Sequence, residues 1–258
     1  ALENKRFARK QLEQESFRKE MEIASNVQRM LFPATLPDHN TLKAKVTYIP
    51  HSSVGGDYYD LIERSEDDVY FCVGDVSGKG MPASLLMSNF QAALRTLLRS
   101  GTDLKTIVEQ LNFSTFDTTK GERFITFFLG HYSYSQKKLS YVNAGHNPPV
   151  LCTSASNSPE LLEAGTTILG AFETLPFMEQ GERENLDHFM LHLYTDGLTE
   201  ALNPSGEEFG EERFLAYIDA HPSYNPERFH EGFLSTLAEF SDGIPGRDDI
   251  TLLSLQFN

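Results

Sequence analysis

The pattern of hydrophobic and polar residues divides this chain into blocks of strand-like runs and blocks of helical spacing. Strand-like apolar runs occur at Lys43–Ile49, Tyr58–Ile62, Val69–Val76, Arg123–Tyr134, Lys138–Asn143, Pro149–Cys152, Phe189–Tyr194 and Ile250–Phe257. Apolar faces with helical spacing, and helix-start signals, predict helices over Met81–Ser100, Asp103–Phe116, Glu211–Ala220 and Pro226–Phe240, the last preceded by an Asn225 cap. Paired helices between groups of short strands predict a layered α+β fold.

The beginning of the chain has a different pattern. No Gly or Pro occurs before Pro33, and helix-forming residues dominate, which predicts one long helix from Leu2 to Leu31. Its second half carries two adjacent apolar stripes, Phe17, Met21, Ala24 and Leu31 on one and Ile23, Val27 and Met30 on the other. We interpret residues 1–32 as a linker that transmits a signal from an upstream sensor domain, and residues 33–258 as a catalytic domain. A simple docked terminal helix and a homodimerising helix are the alternatives.

Composition and charge narrow the class of protein. At 258 residues and 40% hydrophobic content, the chain can bury the core of one large domain. Residues 1–30 contribute +2 to the net charge of −15, so the acidic remainder argues against nucleic acid as the partner. The apolar runs fall short of the roughly 18 residues of a membrane span, and no signal peptide is visible, so we expect a cytoplasmic protein. Cys72 and Cys152 lack metal-site spacing and are expected to be buried free thiols.

Four aspartates beside small residues carry the candidate chemistry, namely Asp57, Asp75, Asp196 and Asp248. The first three lie next to or at the end of a strand-like run, and Asp248 opens one. Mg²⁺ and Mn²⁺ prefer carboxylate, carbonyl and water oxygens, and two such cations can hold a phosphate together with the water that attacks it. Carboxylates that converge at one end of a sheet therefore predict a metal-dependent phosphate hydrolase. The alternative is that each aspartate only caps a turn.

Five segments also carry a family resemblance, Val54–Asp60, Gly74–Gly80, Asn143–Pro149, Thr195–Glu200 and Asp248–Thr251. They occur in the order seen in the bacterial SpoIIE/RsbU-type phosphatases, so nearly the whole chain resembles that branch of the metal-dependent protein phosphatase 2C superfamily. The resemblance implies an αββα sandwich of two antiparallel sheets flanked by helices. It also implies a serine/threonine phosphatase that acts on a phosphorylated protein of the anti-sigma-factor-antagonist (STAS) type, in sigma-factor and stress signalling.

The resemblance gives each aspartate a role at two Mn²⁺ or Mg²⁺ ions. Asp75 is the ligand that both ions share. Asp57 and the backbone carbonyl of Val76 complete the coordination of one ion. Asp196 and Asp248 complete that of the other. A hydroxide held between the two ions is then the nucleophile, and no covalent enzyme intermediate forms.

Neighbouring residues of the motifs are expected to support this site, namely Gly56, Ser77, Gly78, Lys79, His146, Asn147, Gly197 and Asp249. Glycines permit close approach of the backbone to an ion or a phosphate. Asp249 competes with Asp248 for the metal or hydrogen-bonds the loop, and His146 is expected to organise its loop rather than to act in catalysis. Ser77 stands where eukaryotic relatives have a histidine, a candidate general acid, so the proton donor and the phosphate anchor are unassigned.

Two rival functions stay open at this point. One is a degenerate phosphatase that serves as a regulatory binding or sensor module. The other is a hydrolase of small phosphate esters, although no base-stacking or ribose-binding motif is visible. A zinc site is disfavoured, because His188 and His192 have the spacing of a ligand pair but no third ligand nearby. Asp60 is expected to be structural.

Overall fold

A computed structural model of the protein describes residues 2–153, 158–222 and 225–258. The helices in these ranges are α1 (Leu2–Arg29), α2 (Met81–Ser100), α3 (Leu104–Thr119), α4 (Asp196–Thr199), α5 (Gly210–Ala220) and α6 (Pro226–Ser241). The strands are β1 (Leu42–Ile49), β2 (Tyr58–Glu63), β3 (Asp68–Val76), β4 (Ile125–Ser133), β5 (Lys138–Ala144), β6 (Val150–Thr153), β7 (Glu160–Leu161), β8 (Gly165–Thr166), β9 (Gly181–Arg183), β10 (Phe189–Tyr194) and β11 (Ile250–Phe257).

The strands form two sheets. One sheet has the order β1-β11-β10-β6-β7, and the other has the order β2-β3-β4-β5-β8, with β9 paired to β5. The described strands pair antiparallel except for β5 and β8, which run parallel over two residue pairs. The predicted sandwich of antiparallel sheets is therefore confirmed, apart from this short parallel pair.

Aromatic side chains fill the space between the sheets. Phe257 of β11 packs against Phe71 of β3 and Tyr132 of β4, with ring centroids 6.0 and 4.8 Å apart, and the three side chains are buried. Burying one such ring stabilises the fold by about 1.5–3 kcal/mol. Helices α2 and α3 contact the β3 and β5 sheet, whereas α6 contacts β1 and β11 on the other. The layers are thus helix, sheet, sheet and helix.

Most predicted elements are found at or near their predicted bounds. The helix at Met81–Ser100 and the strands at Phe189–Tyr194 and Ile250–Phe257 have the bounds predicted for them. Asn225 caps α6 by accepting a hydrogen bond from the backbone N–H of Arg228.

Among the described side chains of α1, those that contact the rest of the protein closely lie in its C-terminal turns. Met21, Ala24 and Leu31 of the first predicted stripe are half-buried, but Phe17 is 64% exposed, so this stripe packs over a shorter length than its pattern indicates. Gln28 is the one buried side chain among the described side chains of α1. No helix within the described residues combines the length and the apolar character that crossing a membrane requires.

Candidate metal centre

The first two aspartates meet where β2 begins and β3 ends. Asp57 directly precedes β2, and Asp75 is the next-to-last residue of β3. Because β2 and β3 pair antiparallel, the start of one lies beside the end of the other. The backbone N–H of Val76 donates to the carbonyl of Gly56 at 3.3 Å and closes this junction.

The other two aspartates come from the second sheet. Asp196 is the first residue of α4, immediately after β10, and Asp248 lies just before β11, which pairs with β10. Gly197 lies against the backbone that follows Asp248, since a Cβ at this position would be 2.0 Å from the carbonyl oxygen of Asp249. A glycine is therefore required here, and it lets the Asp196 and Asp248 segments approach each other.

Hydroxyl groups of the second sheet hold the carboxylate of Asp57. Its Oδ2 accepts hydrogen bonds from Thr195 Oγ1 at 2.8 Å and from Thr251 Oγ1 at 2.5 Å. Thr251 also receives a hydrogen bond at its carbonyl from the N–H of Thr195. The two sheets are thus joined at this edge through a carboxylate that is 2% exposed.

Asp249 holds the loop that precedes β2. Its Oδ1 accepts from the backbone N–H of His51 and its Oδ2 from that of Gly56, both at 2.7 Å. Both oxygens of this side chain are engaged by the backbone, whereas the neighbouring Asp248 is one-third exposed at its side chain. Of the two competing aspartates, Asp249 therefore organises the loop and Asp248 is the better placed for a cation.

Gly56 forms a wall of the candidate site. A Cβ at this residue would lie 2.8 Å from the carbonyl oxygen of Val76 and 3.0 Å from Oδ1 of Asp75. Any side chain at position 56 would thus intrude on the two groups that the resemblance assigns to cation binding. The backbone at this position approaches them as closely as glycine alone allows.

The carboxylates of the cluster destabilise one another's charge. Burial raises the pKa of Asp75 to about 7, with further contributions from Asp196 and Asp248. Burial, and next the charge of Asp75, raises the pKa of Asp57 well above its usual range. Burial and the charge of Asp248 likewise raise the pKa of Asp196. Crowded, partly desolvated carboxylates of this kind have the donor chemistry of a Mg²⁺ or Mn²⁺ site, where the cation supplies the missing positive charge.

The ammonium group of Lys79 places a positive charge beside the carboxylate cluster. Its Nζ lies 2.7 Å from Oδ2 of Asp248 and donates to the carbonyl of Arg247 at 2.5 Å. The hydrogen bond to Asp248 raises the pKa of Lys79, and the charges of Asp249 and Asp196 add to the effect.

A complete ligand set is not built from side chains alone. Among the described residues, no three acidic, histidine or cysteine side chains converge as closely as one metal ion would need. The residues fit a divalent cation on the condition that other oxygens contribute, and the Val76 carbonyl beside Gly56 is such an oxygen.

His146 joins three elements from a buried position. Its Nε2 donates to the carbonyl of Tyr194 at 3.0 Å, so its Nδ1 accepts from Thr126 Oγ1 at 2.8 Å. Burial lowers the pKa of His146 to about 4, so the ring is neutral at physiological pH. His146 thereby ties the loop after β5 to β4 and β10, and Asn147 beside it is half-buried.

Ser77 and Gly78, in the loop that follows β3, contact the segment before β4. Ser77 Oγ accepts a hydrogen bond from the N–H of Phe124, and the Ser77 carbonyl accepts one from Arg123 Nη1, each at 2.9 Å. Gly78 has φ of +94°, and a Cβ there would lie 2.3 Å from Arg123 Nη1. Hence the Ser77 hydroxyl is engaged with the backbone before β4.

Sequence reasoning missed three side chains that shape the site. Thr195 and Thr251 lie inside the quoted motifs, within three residues of a candidate aspartate, and that proximity was a usable signal. Gln28 gave no such signal, because a single polar residue in a polar helix is ordinary. Its amide donates to the carbonyl of Gly55 at 2.7 Å and accepts from the Gly55 N–H at 3.1 Å.

Known proteins share this sequence pattern. The family model of Stage II sporulation protein E (SpoIIE) matches residues 65–258. The chain is 28% identical over 244 residues to Phosphoserine phosphatase RsbU of Bacillus subtilis, across 94% of this chain and 71% of RsbU. It is 30% identical over 274 residues to Protein IcfG of Synechocystis sp., across 93% of this chain but 42% of IcfG.

Solved structures share the fold. The SiaA-PP2C domain of Pseudomonas aeruginosa superimposes with a TM-score of 0.82 at 24% identity, covering 95% of this chain and 98% of that domain. RsbX in complex with magnesium superimposes with a TM-score of 0.65 at 14% identity, covering 87% of this chain and 99% of RsbX. The chain therefore has the architecture of these phosphatase 2C-type domains.

Proposed function

The chain belongs to the SpoIIE family, and from this premise we propose that it is a protein serine/threonine phosphatase that hydrolyses a phosphorylated regulatory protein. The observation that carries the proposal is the edge where both sheets end, which brings the Asp57, Asp75, Asp196 and Asp248 segments together. The relative RsbU is named a phosphoserine phosphatase, and this supports phosphoserine as the group that is hydrolysed.

Two divalent cations, Mn²⁺ or Mg²⁺, are the proposed cofactors. Asp57, Asp75 and the Val76 carbonyl would hold one ion. Asp75, Asp196 and Asp248 would hold the other, which requires these three carboxylates to move closer together when the ion binds. When bound, such cations neutralise charge on the phosphoryl oxygens and lower the pKa of the attacking water. The magnesium bound in RsbX, which shares the fold, supports this choice.

The protein's own contribution is to fix the carboxylates before any cation arrives. The hydroxyls of Thr195 and Thr251 bind Oδ2 of Asp57, which favours its charged form against the cost of burial. The two backbone hydrogen bonds to Asp249 hold the loop that carries Asp57. A preset arrangement of this kind avoids reorganisation when charge develops on the substrate.

The substrate class and setting are part of the proposal. We propose a phosphorylated anti-sigma-factor antagonist of the STAS type, dephosphorylated in the cytoplasm, where regulators of sigma factors act. The chain spans 71% of RsbU and less than half of IcfG, so the activities and partners of the complete relatives are extended to it only as proposals.

Residues 1–32 are proposed to regulate residues 33–258. The end of α1 contacts the loop before β2, which carries Asp57, through the two hydrogen bonds between Gln28 and Gly55. The same segment is tied to α2, because the Gln91 side chain donates to the carbonyl of Leu31 at 3.2 Å. A displacement of α1, imposed by an upstream sensor domain or by dimerisation, would pull on the loop that carries Asp57.

Hydrolysis assays separate this function from its rivals. We would measure phosphate release from a phosphoserine peptide and from a free nucleotide, with Mn²⁺ or with EDTA. The variants are Asp75→Asn and, as a matched control, Asp117→Asn on the exposed face of α3. The proposal expects Mn²⁺-dependent release from the peptide that only Asp75→Asn abolishes. Release from the nucleotide alone would favour a hydrolase of small esters, and Mn²⁺ binding without turnover would favour a sensor module.

A further inference from the structure

A cavity of about 400 Å³ lies outside the candidate metal centre. The second half of β2, the last turns of α2 and Pro33, which follows α1, line it. Helix α2 begins beside the Asp75 loop, and Arg95 in the cavity wall comes 14 residues after the first residue of the helix. At about 1.5 Å per residue the separation along α2 is about 21 Å. The nearer wall begins at Asp60, three residues and about 10 Å along β2 from Asp57, so the cavity adjoins the metal centre without containing any of its proposed ligands.

One wall of the cavity is a rigid ion pair. Arg95 donates from Nε to Oδ2 of Asp60 at 2.7 Å and from Nη2 to Oδ1 at 3.1 Å. Asp60 is 1% exposed and also accepts from the hydroxyl of Tyr58 at 2.6 Å. Two parallel hydrogen bonds fix the guanidinium plane. This wall is therefore preformed and carries no net charge.

Two further arginines give the cavity its positive charge. Within the described part of the chain, neither Arg64 nor Arg99 has a hydrogen bond or an ion pair at its guanidinium. The other acidic group of the lining, Glu63, lies 2.8 Å from Nε2 of His39. The rest of the protein is strongly acidic, with a net charge of −15 over the chain. The cavity is therefore a positively charged region on a protein whose net charge is negative.

The lining combines guanidinium groups with apolar surface. A guanidinium offers a planar fork of donors that matches phosphate oxygens, and Pro33, Leu61 and Leu98 provide hydrophobic contact beside it. The volume falls within the roughly 300–1,000 Å³ range of small-molecule sites. We propose that this cavity binds a small phosphate-bearing organic molecule, with its phosphate on Arg64 and Arg99 and its apolar part against Leu61 and Leu98.

A ligand bound there would connect three elements. Pro33 belongs to the segment after α1, Leu61 to β2, and Leu98 to α2. A molecule that contacts all three would favour the folded arrangement and raise the midpoint of thermal unfolding, with the logarithm of its free concentration once this exceeds the dissociation constant. This inference does not depend on phosphatase activity.

Calorimetric titration of the whole chain with pyrophosphate and with AMP tests the site. EDTA is present throughout, so that the carboxylate cluster has no cation with which to hold phosphate. The test variant is Arg64→Gln/Arg99→Gln. Arg18→Gln/Arg228→Gln is the control, because it removes the same charge from exposed positions on α1 and α6. Arg64→Lys/Arg99→Lys keeps the charge and loses the planar fork.

We expect both probes to bind the wild type and the control with equal affinity. The dissociation constant should rise about tenfold for each guanidinium removed, and by less in the lysine variant. Thermal unfolding without ligand establishes that each variant is folded; if the glutamine variant is not, the lysine variant carries the comparison. Equal affinity of wild type and folded variant would overturn the proposal. So would a wild type that binds neither phosphate probe at millimolar concentration, whether or not it binds citrate or a glutamate-rich peptide.

Discussion

Replacing Gln28 by Ala tests whether the end of α1 positions the loop before β2, which carries Gly55 and Asp57. Gln28 is 6% exposed, and its amide makes two hydrogen bonds with the buried backbone of Gly55. The next residue, Gly56, donates its N–H to Asp249 and lies against the Asp75 carboxylate. The truncation therefore acts one residue away from the contacts that shape the candidate site.

The structure sets the expected size of the effect. A buried hydrogen bond contributes about 1 kcal/mol net, and a buried backbone group left unsatisfied costs about 1–3 kcal/mol. Two groups of Gly55 lose their partner, so we expect the free energy of unfolding to fall by about 2–4 kcal/mol. If the variant stays folded and only the loop before β2 opens, the loop conformation that binds Mn²⁺ becomes a minor state. The apparent affinity for Mn²⁺ then falls roughly tenfold for each 1.4 kcal/mol by which the open conformation is favoured.

Urea unfolding and calorimetric titration with Mn²⁺ measure the two effects. The control is Asn26→Ala, an exposed position two residues earlier in α1, which should change stability by less than about 0.5 kcal/mol. If Gln28→Ala matches the control in both assays, the loop before β2 holds itself without α1. In that case the proposed route from α1 to the metal centre fails.

Substitution of Lys79, substitution of Arg95 and a change of pH test other contacts of the protein. Lys79→Gln should strengthen Mn²⁺ binding severalfold, because the ammonium group competes with the cation for the acidic cluster; calorimetry that finds equal or weaker binding would contradict this. Arg95→Met should lower the free energy of unfolding in urea by about 3–5 kcal/mol, since it leaves Asp60 buried without its partner, and a loss below about 1 kcal/mol would be incompatible with that pair. Burial lowers the pKa of His192 and of His230 to about 3, so the unfolded chain takes up protons below pH 6.5 while the folded chain does not. The stability contributed by these histidines should be full above pH 6.5 and fall by up to roughly 1.4 kcal/mol per histidine and pH unit towards pH 3. The raised pKa values of Asp57, Asp75 and Asp196 act in the opposite direction, so the test is the difference in urea midpoint between the wild type and His230→Gln, which should shrink from pH 7 to pH 5; a difference that is the same at both pH values would argue against it.

The fold was predictable from the sequence where local pattern and tertiary packing agree. The strand at Phe189–Tyr194 is an apolar run bounded by polar residues, and the structure buries each of its residues. The strands β7, β8 and β9 are two or three residues long, and they exist only because β5 and β6 offer them a pairing edge. No periodicity can be read from such short segments.

The candidate site also has features that the sequence predicts and features that depend on the tertiary fold. Aspartates beside glycines at strand ends are visible in the sequence, because metal chemistry restricts both residue types and their surroundings. The choice between Asp248 and Asp249 depends on which carboxylate the loop before β2 captures, and that loop is nearly 200 residues earlier in the chain. The contact of Gln28 with Gly55 likewise depends on where α1 docks. Such partners are set by the tertiary fold and not by local sequence.

Calorimetric titration with Mn²⁺ determines whether the carboxylate cluster is a cation site. We expect about two Mn²⁺ ions per wild-type chain and the same for Asp117→Asn. Asp75→Asn removes charge from the ligand proposed to be shared, so it should weaken both binding events by an order of magnitude or more. If the wild type binds no Mn²⁺, or if Asp75→Asn binds it as the wild type does, the cluster is not the two-cation site proposed for it.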